Sequence, residues 1–298
     1  MKPNILKKIS LAILIFIWMV GSVNGQESSL LWKVSGNGLA KESYLFGTIH
    51  IICKSDFVMD DRITSAFESA EQLILELDMS DPELQIKMQQ VSLNPEMKNI
   101  KSEMEESEAA ALDAFLLKNY GAGLAQLGIL KPFVLSSMVL LKALPCTEIE
   151  SYETFFTSKA AEADIPLAGL ETVEFQVGIF DQIPQDLQLE ELGKLVTNNE
   201  FDSELQNMMS AYQSEDIDAL DKVMNDSEMM SDYRSVLLDD RNKSWVPKLE
   251  EAMKRNSVFV AVGAGHLGGE FGLIPLLRKA GYSVEPIKQT ENVPALQN

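Results

Sequence analysis

Two compact apolar runs, near opposite ends of the chain, end in the same four-residue pattern. Tyr44-Leu45-Phe46 leads into Gly47-Thr48-Ile49-His50, and Val258-Phe259-Val260-Ala261-Val262 leads into Gly263-Ala264-Gly265-His266. Short β-branched and aromatic runs of this kind read as buried strands. These two histidines are the only ones among 298 residues. A fold that pairs the two strands brings both imidazoles to the carboxyl edge of one sheet, where ligand sites of open α/β sheets lie. The plainer alternative is two histidines at strand ends that donate to backbone carbonyls, and spacing alone leaves it open.

A third apolar run, Gln72-Leu73-Ile74-Leu75-Glu76-Leu77-Asp78, places Glu76 at a strand end. His50, Glu76 and His266 then make a two-histidine, one-carboxylate set, able to hold a divalent cation with positions left for water. Without a metal the same groups are an acid/base pair for a water or a hydroxyl substrate. Pro166-Leu167-Ala168-Gly169-Leu170-Glu171 reads as a fourth strand ending in an acid. Arg241, inside an apolar helix, is suited to holding a carboxylate or stabilising an oxyanion. Against these stand the ordinary uses, a helix N-terminal acid for Glu171 and a surface cation for Arg241. No G-x-S-x-G elbow, H-E-x-x-H or Walker A motif occurs, and Gly263-Ala264-Gly265 is not a dinucleotide fingerprint.

The remaining pattern predicts an α/β fold: a mixed central sheet from N- and C-terminal segments, with a large helical insertion over about residues 80–255. Leu30–Ser35 and Ser43–Gly47 flank Gly36-Asn37-Gly38 as a hairpin. Residues 60–70 form a helix with Ile63, Ala66 and Phe67 on one face. Asp81 and Pro82 read as the N-cap and first residue of the next helix. Further helices are expected over residues 107–120, 132–144 (almost wholly apolar, hence buried), 152–163, 188–196, 201–212, 217–224 and 233–255. Leu273–Ala280 is a helix that Gly281 can cap, and residues 282–287 form the last strand. The methionines at 208, 209, 224, 229 and 230 are expected in adaptable core packing rather than at a copper site.

The first 25 residues read as a secretory signal. Lys2, Lys7 and Lys8 precede the apolar run 9–23, and Val23-Asn24-Gly25 offers small residues before a cut at Gln26. An uncleaved anchor is the alternative, although the run is short for a membrane span. Residues 26–298 then form a single secreted or periplasmic domain, with no membrane association after cleavage. A net charge of −20 repels nucleic acid and anionic lipid. Cys53 and Cys146 are compatible with one disulfide in an oxidising compartment or with two buried thiols. Neither sits in a C-x-x-C pair, which argues against a cysteine zinc site.

These motifs together resemble the TraB/GumN family, which includes the Tiki-like metalloproteases. The resemblance rests on residues 44–50 and 75–78, Lys131-Pro132-Phe133, Gly169-Leu170-Glu171-Thr172 with Gln176, Asp240-Arg241-Asn242, residues 260–267, Gly272-Leu273-Ile274 and Gly281-Tyr282-Ser283-Val284. It implies an α/β core related to the erythromycin-esterase and ChaN-like folds. It implies His50, Glu76 and His266 as central site residues, with Glu171 and Arg241 close by; His50 and His266 are then expected to bind the cation, Glu76 to be a ligand or general base, and Arg241 to stabilise the developing oxyanion. It further implies metal-dependent (Mn, Co or Zn) cleavage of a peptide or protein substrate. A metal-free esterase-type hydrolase and a non-catalytic ligand- or metal-binding protein are the alternatives. The family's usual Trp after Lys-Pro is Phe133 here, and its usual Gly-Val-Asp is Ser151-Tyr152-Glu153, so substrate recognition is expected to differ.

Overall fold

A computed structural model describes residues 28–197 and 201–289; the expected signal sequence lies outside the described residues. The strands are β1 (Leu31–Gly36), β2 (Ser43–Thr48), β3 (Ile52–Cys53), β4 (Gln72–Leu77), β5 (Ile149–Glu150), β6 (Leu167–Glu171), β7 (Val258–Gly263) and β8 (Tyr282–Pro286). The helices are α1 (Asp61–Glu68), α2 (Leu84–Val91), α3 (Glu106–Tyr120), α4 (Leu124–Leu127), α5 (Pro132–Ala143), α6 (Tyr152–Glu162), α7 (Val173–Phe180), α8 (Gln185–Thr197), α9 (Phe201–Gln213), α10 (Ile217–Asn225), α11 (Glu228–Arg234), α12 (Asp240–Arg255) and α13 (Leu273–Lys279).

Six strands form one mixed sheet in the order β6-β4-β7-β2-β1-β8. β1 runs antiparallel to β2 through a turn whose residues Gly36, Asn37 and Gly38 all have positive φ, a conformation that Gly and Asn accept most readily. β2, β7, β4 and β6 are mutually parallel. Val258 to Val262 of β7 are buried without alternation, as a central parallel strand requires, because both faces are covered. Aromatic packing of Phe46, Phe67, Phe156 and Phe259 fills one side of the sheet. Parallel pairing aligns the strand ends: Thr48 lies opposite Gly263, and Leu77 opposite Glu171.

The sheet therefore draws a strand, β6, from within the expected helical insertion, which splits it into two helical blocks. A second core, around Leu112, Leu116, Leu135 and Leu192, joins α3 and α5 of the first block to α8 of the second. Here the expectation of a buried helix over 132–144 is corrected. Only Pro132, Leu135 and Val139 of α5 are buried, because a helix set at the edge of a small core hides one stripe. The expected start at Asp81 is also corrected. Asp81 makes a separate turn, its Oδ1 accepting from Glu83 N at 2.8 Å, and α2 begins at Leu84. The helix expected from 233 to 255 starts earlier, at Glu228, and passes through a π-helical turn, Ser235–Asp239, before α12. The methionines pack as expected, 208 and 209 against the main core and 224, 229 and 230 against a smaller cluster.

Cys53 and Cys146 are joined in a disulfide that spans 93 residues and sits beside the short β3–β5 ladder. A loop this long loses much entropy when cross-linked, so the bridge should contribute about 2–4 kcal/mol. Urea unfolding with and without dithiothreitol should show that difference; coincident curves would mean the ladder holds without it. Among the described residues no helix is long and apolar enough to cross a membrane.

Candidate functional site

The two Gly-x-x-His segments meet because Gly47 lets them. A Cβ on Gly47 would stand 2.7 Å from Leu267 Cδ1 and 3.1 Å from Ala264 Cα, so glycine lets the end of β2 lie on the turn after β7 without displacing either. Gly263 has a different task. Its φ of −48° suits any residue. A Cβ there would point into the space between Glu76 Oε1 (3.3 Å), His266 Cδ2 (3.7 Å) and His50 Nε2 (3.8 Å). The three predicted residues thus surround one point at the carboxyl edge of the sheet.

Each of the three is held by a partner. Asn242 donates Nδ2 to Phe271 O at 2.9 Å, which turns its Oδ1 toward His266. His266 Nδ1 lies 2.6 Å from that oxygen, so Nδ1 carries the proton and Nε2 presents its lone pair. The ring packs on Trp245, with centroids 4.4 Å apart. His50 is exposed at the mouth, and its Nδ1 lies 3.0 Å from Glu153 Oε1. Thr48 and Ser151 hydroxyls donate to the same carboxylate. Glu76 is buried. Its Oε1 accepts from Gly263 N at 2.9 Å, and its Oε2 accepts from Arg241 Nη2 at 2.6 Å and Gln176 Nε2 at 2.9 Å.

Arg241 ties the back of the site together. Nε and Nη2 grip Glu171, Nη2 also reaches Glu76, and Nη1 donates to Leu237 O and to His266 Nε2 at 3.2 Å. Glu171, whose side chain is 2% exposed, also accepts from Trp245 Nε1. Of the two uses open to Arg241, the structure shows the first: all three guanidinium nitrogens point at protein acceptors, and the charge holds two carboxylates.

The electrostatics follow. The Glu153 bond, with the nearby charges of Glu76 and Glu153, raises His50 to about 9. Burial pushes His266 down to about 3, and the positive charge of Arg241 adds to this, so the ring is neutral at physiological pH. Burial raises the Glu76 carboxyl, but His266, His50, Arg241 and the Gly263 N–H together hold it at about 2. Burial likewise raises Glu153, and its bond and proximity to His50 bring it below the usual carboxylate range.

The donor set suits a divalent cation in kind. Both imidazoles have Nδ1 anchored to an oxygen, the arrangement that fixes a metal-binding histidine by its outer nitrogen. Nε2 of His50 and Oε1 of Glu76 border the same point. As the side chains lie, the set is not closed: among the described residues no three His, Cys, Asp or Glu groups are placed to hold one ion. His266 Nε2 stands 3.8 Å from Glu76 Oε1, a separation one ion can bridge, but it accepts a bond from Arg241. A cation would be held by His50, Glu76 and His266 in exchange for that bond and for the proton that His50, raised to about 9, carries at neutral pH.

Gly263→Ala isolates the central point. Stability should stay within about 1 kcal/mol, since the backbone angle is ordinary. If the site catalyses cleavage, as proposed below, turnover should fall by about 10²-fold, the scale of a misplacement near 1 Å. Thermal melting and a cleavage assay check both; normal turnover would mean that the reaction lies elsewhere.

Sequence reasoning missed two partners. Glu153 stands out only as part of a departure from the family pattern, yet it orients His50. Asn242 sits beside Arg241 in a motif, but its bond to His266 has no local signature.

The profile of the TraB/PrgY/gumN family matches residues 30–286. No curated protein and no solved structure matches the chain. The matched span contains every residue of the site and every strand of the sheet, and the chain belongs to the TraB/PrgY/gumN family.

Proposed function

We propose that this protein is a hydrolase, acting on peptide bonds with a divalent cation (Mn, Co or Zn) held by His50, Glu76 and His266. The observation that carries the reading is the meeting of two anchored imidazoles and an ionised carboxylate around Gly263. When bound, such a cation supplies Lewis acidity and a water acidified toward a pKa of about 7. The residues do the rest. Glu171 and Arg241 fix Glu76 in one orientation, leaving Oε1 toward the crevice. Glu76, ionised throughout the neutral range, serves as ligand and negative charge; a carboxyl held near 2 is a weak proton acceptor, so it is poorly matched to general-base work. Glu153 holds the exposed His50 at the mouth, where substrate enters. Burial keeps His266 neutral, so the Nε2 lone pair that accepts from Arg241 can pass to a cation.

A second reading is favoured by the Arg241–His266 bond. In it no cation binds, and the His50–Glu153 pair handles protons for a metal-free hydrolase. One experiment separates them. The protein is stripped with chelator, then assayed on a peptide library before and after addition of Mn, Co or Zn. Cleavage restored by metal is expected. Cleavage that survives stripping would favour the second reading. Metal uptake without cleavage would make the protein a carrier. The disulfide supports placement outside the cytoplasm, in line with the N-terminal signal pattern.

A further inference from the structure

A cavity of about 380 Å³ lies between β3, the end of α5 and one side of α9, within the size range of ligand pockets. Leu144, Pro145, Leu205 and Met209 give it apolar walls, and Gln206 and Gln213 add neutral amides. Asp56 is its one charged lining group, and no Lys or Arg lines it. Both sides of the cavity are tied to the candidate site. Cys53, in one wall, follows His50 by three residues and is bonded to Cys146, next to Pro145. Gln213, in the other, adjoins Tyr212, whose hydroxyl donates to Gly47 O at 3.1 Å.

We propose that this cavity is a substrate subsite, taking a large apolar side chain of a peptide with a basic residue beside it. The proposal rests on the peptide-hydrolase reading and names its substrate class. The apolar walls select the side chain, because burying it removes apolar area from water. The Gln206 and Gln213 amides offer both donors and acceptors to a peptide backbone. Asp56, unopposed by a cation in the lining, favours a neighbouring Lys or Arg, and the net charge of −20 draws cationic segments to the surface. The disulfide ties the β3 wall to the segment carrying Leu144 and Pro145, which fixes that side of the cavity.

The test measures binding apart from turnover. Fluorescein-labelled Gly/Ser hexapeptides carrying Leu-Lys, Ser-Lys or Leu-Glu at the centre are titrated into the Glu76→Gln protein, and anisotropy is followed. Leu-Lys should bind about tenfold more tightly than either of the others. Met209→Trp, which fills the cavity, should remove that advantage. Gln206→Trp, at an exposed position that leaves folding intact, should do the same. Asp56→Asn should remove the preference for Lys over Glu and keep that for Leu over Ser. Equal binding of Leu-Lys and Ser-Lys, or binding indifferent to both Trp variants, overturns the subsite. The expected binding pattern, with no cleavage by the unsubstituted protein, overturns the hydrolase reading alone.

Discussion

Arg241→Ala should destabilise the protein by about 3–5 kcal/mol, the cost of removing one partner from a buried ionic group. The guanidinium is the cation between Glu76 and Glu171, whose side chains are 8% and 2% exposed. Without it, two carboxylates share a buried space with only His50 as a nearby cation, and the Leu237 carbonyl loses a donor. Arg241→Lys should recover only part of the loss. An ammonium cannot reach Glu171, Glu76, Leu237 and His266 at once, as a planar fork does. Urea unfolding of the three proteins measures this. A loss below about 1 kcal/mol, the range of a solvated pair, would show that water reaches these carboxylates.

Glu76→Gln should lower peptide cleavage by at least about 10²-fold, because it removes a ligand and its negative charge where even a ligand's supporting partner is worth about 10–100-fold. The change keeps shape and removes charge, and Arg241 retains Glu171, so stability should fall less than with Arg241→Ala. Adding cation at high concentration should rescue part of the activity if Glu76 is a ligand, and none if it acts otherwise. Cleavage equal to that of the unsubstituted protein would remove Glu76 from the reaction centre.

Much of the fold was legible because its signals are local. The apolar runs at 44–46, 72–77 and 258–262 are strands, and Asp60 caps α1 through bonds to Arg62 N and Ile63 N. Burial was less legible. An apolar composition over 132–144 predicts a hidden helix, but what is hidden depends on how many neighbours pack around it, and α5 covers one stripe. The candidate site divides in the same way. His50, Glu76 and His266 announce themselves by residue type at strand ends. Glu153 and Asn242 reach them across gaps in sequence of 103 and 24 residues, set by where α6 and α12 dock.

By itself, then, the sequence determined the six strands of the main sheet, most helices, the family and the three residues at the strand ends; it gave no sign of the β3–β5 ladder. What it determined is written in side-chain periodicity and residue type over a few positions. Only the tertiary structure decided that β7 lies between β2 and β4, that Gly47 serves contact and Gly263 serves space, and that Arg241 spends its donors on protein acceptors. Those facts depend on the register of parallel strands joined by long connections, and long connections leave no mark on the local pattern.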